Sequence, residues 1–489
     1  MQLPTGLACP RCHGTLQVDG PGLRCPACAV GYPVADSIPS FLEPVGIVPS
    51  LSPCALSVVL PALNEAASLE RMLPDLLSAL RALDLAAEVI VIDGGSQDST
   101  VEVARRHGVR TILQEGPGYG GALRTGFGAA RGDYVLTLDA DGSHDPTFLR
   151  DVWSARESAE VVIASRYVLG GRAEMPWTRL LLSRTLNLAF RRGLSLPARD
   201  LSSGFRLYAR RAIARLDLAA TDFDVLEEIL IRALAEGYRV REIPFHYRAR
   251  LSGRSHADLR KFALSYLRTF GRMWRLRNSI AAADYDARAY DSVVPLQRYW
   301  QRRRFKLITG FMRGFERVLD VGCGSSRILG SKPDMVGLDV QAHKLRFDRR
   351  YGNPLVHASI FALPFRDASF DCVVCSEVIE HVPADARAFD ELARVLRPGG
   401  RLVLGTPDYD RWTWRALERL YARLAPGGYA DEHITHYRRQ GLTAYLEGRG
   451  FKVERVSYVG ASEMIFCLRK EAQPAAAVPA VDIALRKAA

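Results

Sequence analysis

The sequence has no long apolar run: none of its apolar stretches reaches the roughly 18 uncharged residues that span a bilayer. It also lacks the start of a signal peptide, and it contains no internal repeat that would indicate an array of repeats. Nine cysteines without an export signal argue against a disulfide framework and predict a reducing compartment. We therefore expect a cytoplasmic protein built from several different domains.

The chain is long and carries a net positive charge. Its 489 residues suggest about three domains, and 48% apolar with 25% charged residues is the composition of a folded protein. The formal charge of +12 predicts an acidic partner, which is a nucleic acid, an anionic lipid or a phosphorylated substrate. No RNA-reading motif accompanies the arginines, so we expect no nucleic acid.

Four of the cysteines lie in two C-x-x-C pairs near the N-terminus, Cys9/Cys12 and Cys25/Cys28. Thiolates at this spacing predict a closed, structural zinc site, and the alternative is four reduced cysteines without a metal. The surrounding segment, LACPRCHGTL followed by LRCPACAVGYPVADSIPSFL, resembles the small zinc-ribbon proteins that bind and activate methyltransferases. The resemblance implies that residues 1–45 form a docking module.

From residue 55 to residue 256 the pattern alternates between strands and helices, which predicts a parallel α/β sheet. Three of the predicted strands end on polar loops: Asn64 and Glu65 after the first, Asp93 after the second, and Asp139 with Asp141 after a later one. Ligands in open α/β sheets bind at the carboxyl ends of strands, so these loops are expected to line one crevice. The paired aspartates predict a site for a hard divalent cation, which offsets their repulsion.

In this order the motifs resemble a family 2 glycosyltransferase with the GT-A fold. The similar subgroup is that of the polyprenyl-phosphate sugar transferases, typified by dolichol-phosphate mannosyltransferase. Two positions depart from the family pattern, since Gly94 replaces a second aspartate and His256 replaces a lysine. The matching motifs are LPALNEAASL, IDGGSQDST, GPGYGGALRTGF, LDADGSHDP, ASRYVLGG, DLSSGFRLY and EIPFHYRARLSGRS.

The resemblance implies metal-dependent sugar transfer, because a metal stabilises the charge that develops on a leaving nucleoside diphosphate. Asp200 is a candidate catalytic base, and the alternative is that it only orients Arg206. The acceptor phosphate is already ionised, so a base is not obligatory. The implied sites are Pro61, Glu65 and Asp93 for the nucleotide sugar, Asp139 and Asp141 for Mg2+ or Mn2+, and Arg206, Arg250 and Ser255 for the acceptor phosphate.

Two segments combine Leu, Phe and Trp with basic residues, WTRLLLSRTLNLAFRRGLSL and KFALSYLRTFGRMWRLR. Such helices lie in the headgroup layer of a membrane, and the alternative is a helix packed on its domain with a solvated basic face. The first segment is expected to be mostly core. The second, within a linker at 257–284, predicts peripheral contact with the cytoplasmic face of a membrane.

A second α/β block begins with the strand and turn VLDVGCG, in which Asp320 precedes Gly322 and Gly324. Asp339 ends the next strand and is placed to bind a ribose diol. With LPFRDASFDCVVCSEVIEHV and LRPGGRLVL, residues 285–470 resemble a class I S-adenosylmethionine-dependent methyltransferase of Rossmann-like fold. The resemblance implies that Asp320, Gly322, Gly324 and Asp339 bind the cofactor.

Three further features of this block bear on activity. Ser326 stands for a third glycine, and Ser359 stands for the acid that binds the adenine amino group in the family. Glu432, His433 and His436 are candidates for the acceptor site, and the alternative is that the histidines are structural.

Cys323, Cys372 and Cys375 are predicted core residues, and residues 471–489 are predicted to be a disordered tail.

The sequence therefore predicts a bifunctional α/β enzyme with a zinc ribbon, a GT-A domain and a methyltransferase domain. The transferase would move a sugar from GDP-mannose or a UDP-sugar to a polyprenyl phosphate. Two alternatives stay open: a methyltransferase acting mainly on protein, RNA or glycan and activated by its ribbon, or a non-catalytic membrane scaffold.

Overall fold

A computed structural model describes residues 3–42, 54–248, 259–424, 433–472 and 484–486, without the side chains of 259–261, 420–424 and 484–486. The chain forms two compact units, of which one is Ser50–Arg277 and the other combines Met1–Pro49 with Asn278–Ala489. The finer boundaries expected from the sequence stay predictions. Across the described helices, no segment is long and apolar enough to cross a bilayer.

The N-terminal segment is a small antiparallel sheet that carries the four cysteines. Its strands follow one another in space as they do in the chain. Residues Leu23, Tyr32 and Phe41 are buried here, which gives the ribbon a few core residues of its own. The strands are β1 (Gln17–Asp19), β2 (Gly22–Cys25), β3 (Val30–Ala35) and β4 (Ile38–Pro39).

The Ser50–Arg277 unit contains a seven-stranded sheet with helices on both faces, and a separate two-stranded sheet. Its strands are β5 (Leu56–Ala62), β6 (Ala87–Asp93), β7 (Arg110–Leu113), β8 (Tyr134–Thr137), β9 (Val161–Ser165), β10 (Arg172–Ala173), β11 (Arg206–Ala209), β12 (Val240–Pro244) and β13 (His246–Tyr247). Its helices are α1 (Ala66–Arg81), α2 (Thr100–Arg106), α3 (Gly118–Ala129), α4 (Leu149–Ser154), α5 (Trp177–Gly193), α6 (Arg210–Ile213), α7 (Val225–Ala235) and α8 (Leu259–Arg277).

The strand order of this sheet is β12-β9-β11-β8-β5-β6-β7, and β11 is antiparallel to both of its neighbours. The chain leaves β5 toward β6 on one side and returns through α3 to β8 on the other. This reversal opens a crevice at the carboxyl ends of β5 and β8, where ligands of open α/β sheets bind. The central strands β5, β8 and β9 are mostly apolar and buried because helices cover both faces of the sheet.

The second unit contains another seven-stranded sheet, of order β16-β15-β14-β17-β18-β21-β20. In this sheet β21 is antiparallel to both of its neighbours, β18 and β20, and the other strand pairs are parallel. The unit also contains a two-stranded sheet. Its strands are β14 (Val318–Val321), β15 (Val336–Asp339), β16 (Leu355–His357), β17 (Phe370–Ser376), β18 (Leu396–Pro407), β19 (Thr435–Tyr437), β20 (Phe451–Val459), β21 (Glu463–Lys470) and β22 (Ala484–Arg486). Its helices are α9 (Tyr285–Tyr290), α10 (Pro295–Phe311), α11 (Ala342–Asp348), α12 (Ala386–Val395), α13 (Trp412–Leu424) and α14 (Arg439–Glu447).

The N-terminal ribbon packs on this second sheet and continues its edge beyond β16. Ser40 bridges to His357, and the Ser40 hydroxyl lies 2.8 Å from Nδ1 of the His357 ring. The Phe41 N–H donates to the His357 carbonyl at 2.8 Å, and the Ala8 N–H donates to the Pro364 carbonyl at 2.8 Å. Cys9, Tyr32 and Phe41 thereby join the core of the sheet.

The tail after β21 is described only in part. The strand β22 pairs with β19, whereas residues 473–483 and 487–489 lie outside the described residues. The disorder expected for this tail therefore stays a prediction.

Candidate functional site

The loops that follow β5 and β6 are joined by hydrogen bonds from backbone N–H groups to side chains. The Asn64 N–H donates to the Ser96 hydroxyl at 2.9 Å, and the Gln97 N–H donates to Oδ1 of Asn64 at 2.8 Å. Asn64 adopts a φ of 56°, a conformation that asparagine tolerates better than most residues. Glu65 immediately precedes α1, and its carboxylate accepts a hydrogen bond of 2.8 Å from the Ser68 hydroxyl. The first two predicted nucleotide loops therefore form one wall.

Asp93 ends β6 and is buried in its own turn. Its carboxylate accepts hydrogen bonds from the N–H groups of Gly95 and Ser96, at 3.1 and 3.2 Å. At Gly94, where the family pattern has aspartate, an added Cβ would lie 3.3 Å from Cβ of Leu63. A side chain at this position would therefore have to displace Leu63, which is half exposed.

The aspartate pair follows β8 directly. Oδ1 of Asp139 accepts a hydrogen bond of 3.0 Å from the Tyr119 hydroxyl, and burial with the charge of Asp139 raises the pKa of Tyr119. Oδ1 of Asp141 accepts from the N–H and the hydroxyl of Ser143, at 3.0 and 2.5 Å. Asp141 is buried and the Asp139 side chain is 27% exposed. Two carboxylates at a crevice are the hard oxygen ligands that Mg2+ and Mn2+ prefer.

His144 fixes the turn that carries this pair. Its Nδ1 accepts a hydrogen bond of 2.9 Å from the Asp139 N–H, and burial lowers its pKa. Because Nδ1 accepts this hydrogen bond, the ring carries a single proton, on Nε2. A neutral ring adds no positive charge that would compete with a cation at Asp139 and Asp141.

Arg206 and Asp200, predicted to act at the acceptor, are more deeply buried than Asp139. The Arg206 side chain is fully buried, and its NH1 and NH2 groups donate to the carbonyls of Leu226 and Leu201. Asp200 does not pair with Arg206. Both of its oxygens accept from the guanidinium of Arg166, at 2.8 and 2.6 Å. Asp200 therefore holds the guanidinium of Arg166, while the catalytic role of Asp200 and the phosphate role of Arg206 stay predictions.

The glycine loop of the second sheet holds a carboxylate oxygen without a partner. Asp320 is the second-last residue of β14 with 3% exposure, and its Oδ2 has no hydrogen-bond partner among the described residues. Burial and the charge of Asp339 raise the pKa of Asp320 to about 7. Asp339 ends β15 and accepts hydrogen bonds of 2.8 Å from the N–H groups of Gly324 and Gln341. The ammonium group of an amino-acid cofactor would satisfy the orphaned oxygen of Asp320.

Gly322 allows this loop to approach the turn after β17. Its φ is 70°, and an added Cβ would lie 2.2 Å from Cγ2 of Val378. The two serines that replace family residues are used locally: Ser326 accepts from the Ile328 N–H at 3.3 Å, and Ser359 accepts from the Phe361 N–H at 3.2 Å.

The four N-terminal cysteines converge as their spacing predicts. One sulfur from each lies within 4.8 Å of the others, with 3.9 Å between Cys9 and Cys28 and 3.5 Å between Cys12 and Cys25. A tetrahedral zinc site with Zn–S bonds of about 2.3 Å requires sulfurs about 3.8 Å apart. The residues present therefore fit a structural zinc ion.

Comparisons with known proteins agree with this geometry. The model of Glycosyl transferase family 2 matches residues 57–217, and a Methyltransferase domain model matches residues 319–404. An uncharacterised glycosyltransferase of Mycobacterium tuberculosis is 34% identical over 202 residues, which are 41% of this chain and 88% of the relative. The chain belongs to glycosyltransferase family 2. The predicted fold class, GT-A-like and Rossmann-like α/β with an N-terminal cysteine cluster, is confirmed.

Two further relatives of this family 2 chain have named activities. Polyprenol monophosphomannose synthase of Mycolicibacterium smegmatis is 33% identical, over 40% of this chain and 78% of the relative. Dolichyl-phosphate hexose transferase of Haloferax volcanii is 32% identical, over 40% of this chain and 83% of the relative.

Sequence reasoning missed three residues at the family 2 site. Tyr119 lies in the glycine-rich motif, and its aromatic ring could have been noticed there as a donor beside the aspartates. Gly204 has no room for a side chain, because an added Cβ would lie 2.9 Å from Oδ1 of Asp139. Arg166 lies in the ASRY motif, but its pairing with Asp200 depends on the order of the strands.

Arg166 also belongs to an arginine-lined hollow beside α5. Two cavities of about 480 and 290 Å³ share Tyr167 and Arg184 as lining residues. Arg250 and Ser255, the other predicted phosphate ligands, lie outside the described residues. The arginines that line the two cavities are Arg166, Arg172, Arg184, Arg191 and Arg199.

The acceptor candidates of the methyltransferase domain are partly described. His433 is buried, and the ring of His436 stacks on that of Tyr409 with centroids 3.9 Å apart. Glu432 lies outside the described residues. Cys323, Cys372 and Cys375 are buried in the core, where they were predicted.

Proposed function

We propose that the family 2 unit transfers a sugar from GDP-mannose or a UDP-sugar to a polyprenyl phosphate. The observation that carries this proposal is the pair Asp139 and Asp141 at the crevice between β5 and β8. Mg2+ or Mn2+ on this pair would supply charge stabilisation for the leaving nucleoside diphosphate. The named activities of the relatives in Mycolicibacterium and Haloferax support a polyprenyl or dolichyl phosphate as acceptor.

The chain's own residues would divide the remaining work. Pro61, Glu65 and Asp93 lie at the ends of β5 and β6 and would bind the nucleotide. The arginine-lined hollow beside α5 would receive the acceptor's phosphate, because guanidinium groups match phosphate geometry. The phosphate attacks as an anion, so Asp200 acts by holding Arg166 in place.

We also propose that this unit works on the cytoplasmic face of a membrane. The helices α5 and α8 pack on each other, with the rings of Phe190 and Phe270 5.2 Å apart. Only Asn187 and Phe190 of α5 are buried, so the expectation of a core helix was wrong. The apolar residues that these helices leave exposed are Trp177, Leu181, Leu182, Leu188, Leu264, Leu267 and Trp274. With the neighbouring arginines they favour binding to anionic lipid.

The second unit is proposed to transfer methyl groups from S-adenosylmethionine, with Asp320, Gly322, Gly324 and Asp339 at the cofactor. The orphaned oxygen of Asp320 supports this. The ribbon, with zinc on its cysteines, would stabilise the edge of the sheet at His357. This contact favours the second candidate function, a methyltransferase activated by its own ribbon.

The deciding experiment is sugar transfer by the purified chain. The protein is given Mg2+ or Mn2+, labelled GDP- and UDP-sugars, and a short polyprenyl phosphate. We expect label in the organic phase with wild-type protein, none with Asp141→Asn, and full transfer with Asp151→Asn, which changes an exposed aspartate of α4. Absence of both transfer and nucleotide binding would give the primary role to the methyltransferase.

Membrane binding is tested separately with vesicles that contain anionic phospholipid. Leu181→Ser with Leu267→Ser is expected to reduce co-sedimentation, whereas Val293→Ser, which changes a still more exposed apolar residue of the other unit, is not. Equal binding of all three proteins would contradict a membrane-facing role for α5 and α8.

A further inference from the structure

Outside the sites described so far, three metal-ligating side chains converge in the methyltransferase domain. Glu380 and His381 lie on a single turn after β17, and His433 lies just before β19. One ligand atom from each lies within 4.8 Å of the others, and the two imidazole rings are 4.9 Å apart. We call these three residues the Glu–His cluster.

The backbone holds the two segments of the cluster together. The Ile434 N–H donates to the Glu380 carbonyl at 2.9 Å, and the Thr435 hydroxyl donates to the Val382 carbonyl at 2.7 Å. Glu380 is completely buried and His433 is 3% exposed. The cluster is therefore fixed before any ligand arrives, as a binding site must be.

Among the described residues, the hydrogen bonds of the His433 ring are made by Nδ1. Its Nδ1 lies 3.2 Å from the Glu418 carboxylate and 2.9 Å from the Tyr409 hydroxyl, which itself donates to Glu418 at 2.7 Å. Nδ1 therefore carries the proton, and the lone pair is on Nε2. A carboxylate behind a histidine is the arrangement that orients metal-binding histidines in proteins.

Glu380 offers a buried oxygen to which no described residue donates a hydrogen bond. Its Oε2 accepts a hydrogen bond of 3.0 Å from Thr406, whereas its buried Oε1 has no hydrogen-bond partner among the described residues. The nearby guanidinium of Arg304 is shared between Glu377 and Glu463, at 3.1 and 2.7 Å. An unpaired buried carboxylate is costly, and a bound cation offsets that cost.

The cluster lies at the edge of the proposed cofactor site. The glycine loop contacts the same turn, since Gly322 has room for no side chain beside Val378. Both the loop and the turn follow the carboxyl ends of neighbouring parallel strands, β14 and β17. A ligand of the cluster would therefore be close to the methyl donor.

We propose that Glu380, His381 and His433 bind a divalent cation, and that this cation binds a hydroxyl group of the methyl acceptor. Two imidazoles and one carboxylate favour Mn2+, Fe2+, Co2+ or Zn2+ over Mg2+ and Ca2+, whose preferred ligands are all oxygens. Three protein ligands leave coordination positions for a substrate. The acceptor class is an alcohol, and a vicinal diol of a glycan would fill two positions.

The reaction that this site serves rests on the proposed methyl transfer. The acceptor hydroxyl releases its proton to solvent, more readily when a cation binds its oxygen. The oxygen lone pair then forms the bond to the donor methyl carbon. The bond between that carbon and the sulfonium breaks, its electrons return to sulfur, and S-adenosylhomocysteine is left.

Mn2+ binding tests the site without any transfer reaction. It is measured by electron paramagnetic resonance, because the signal of free Mn2+ decreases as the ion binds to the protein. All proteins carry Asp141→Asn and no nucleotide is added, so the sugar-nucleotide site is silent. We expect one bound Mn2+ in the parent and an affinity at least about tenfold lower with Glu380→Gln or His433→Gln. His343→Gln, a histidine of the same unit outside the cluster, is the matched control.

Unchanged Mn2+ affinity in both cluster variants would overturn the site. If a variant does not fold, Glu418→Gln replaces it, since loss of the carboxylate behind His433 should still weaken binding about 10- to 100-fold. Methyl mannoside should alter the signal of bound Mn2+ and its fully O-methylated analogue should not; equal effects would overturn the hydroxyl role. Normal Mn2+ binding without methyl transfer would count against the proposed methyltransferase and not against the site.

Discussion

Both units end buried parallel strands on acidic residues, but the two sets of carboxylates are satisfied differently. In the family 2 unit, Asp93 is bonded by the N–H groups of its own turn and Asp141 by Ser143. In the methyltransferase unit, Asp320 and Glu380 each keep a buried oxygen without a partner among the described residues. The first site is held in shape by its own hydrogen bonds. The second site leaves buried carboxylate oxygens without hydrogen bonds from the described residues, and we expect cationic ligands to bind them.

The largest effect is expected where the first site is tightest. In Gly204→Ala the new methyl group would lie 2.9 Å from Oδ1 of Asp139 and 3.0 Å from the Tyr119 hydroxyl. Displacement of Asp139 should lower kcat/KM for sugar transfer about 100-fold, or about 2.7 kcal/mol. Gly128→Ala, where an added Cβ meets nothing within 4 Å, is the control. Equal activity of the two variants would show that the site is not preformed.

A smaller effect is expected at the orphaned carboxylate of the second site. Because burial raises the pKa of Asp320 to about 7, the carboxylate becomes charged only as the pH rises through neutrality. S-adenosylmethionine should therefore bind more tightly at pH 8 than at pH 6, and Asp320→Asn should weaken binding at pH 8 by about tenfold and remove the pH dependence.

Calorimetry across this pH range measures both effects. Asp334→Asn, a change at an exposed aspartate of the same unit, should keep the wild-type profile. A flat profile in the wild-type protein would mean that Asp320 does not bind the cofactor's ammonium group.

The smallest effect is expected when one of several hydrogen bonds at the preformed site is removed. Tyr119→Phe keeps the ring that stacks on Phe223 and deletes the donor to Asp139. Loss of a hydrogen bond of about 1 kcal/mol should lower kcat/KM for sugar transfer roughly fivefold. Tyr134→Phe serves as the comparison, and a loss as large as that of Gly204→Ala would mean that Tyr119 does more than orient Asp139.

Features that lie within one short segment could be predicted from the sequence. An apolar run that stops on Asp139 and Asp141 predicts both the strand and its polar end, because the sequence changes from apolar to acidic residues within a few positions. The same holds for the four cysteines, whose spacing predicts their convergence. In each case one loop supplies the geometry.

Contacts between distant segments could not be predicted in this way. Asp200 binds Arg166 and not Arg206, because the pairing is set by the loops around β9 and β11. His433 meets Glu380 because the Ile434 N–H and the Thr435 hydroxyl donate to backbone carbonyls of the other segment, and no local pattern relates the two segments. Such pairs depend on the order of strands, and a single sequence gives no direct signal for that order.

The contact between Ser40 and His357 also has a consequence for folding during synthesis on the ribosome. The two residues are 317 positions apart, so the edge that the ribbon covers does not exist when the ribbon is made. At about 5 to 20 residues per second, roughly 15 to 60 seconds pass before His357 is added. During that interval the whole family 2 unit is synthesised, and the ribbon has only its zinc ligands and a few buried side chains to hold it. Zinc supply during translation, more than the stability of the finished protein, would then decide how much of the chain folds correctly.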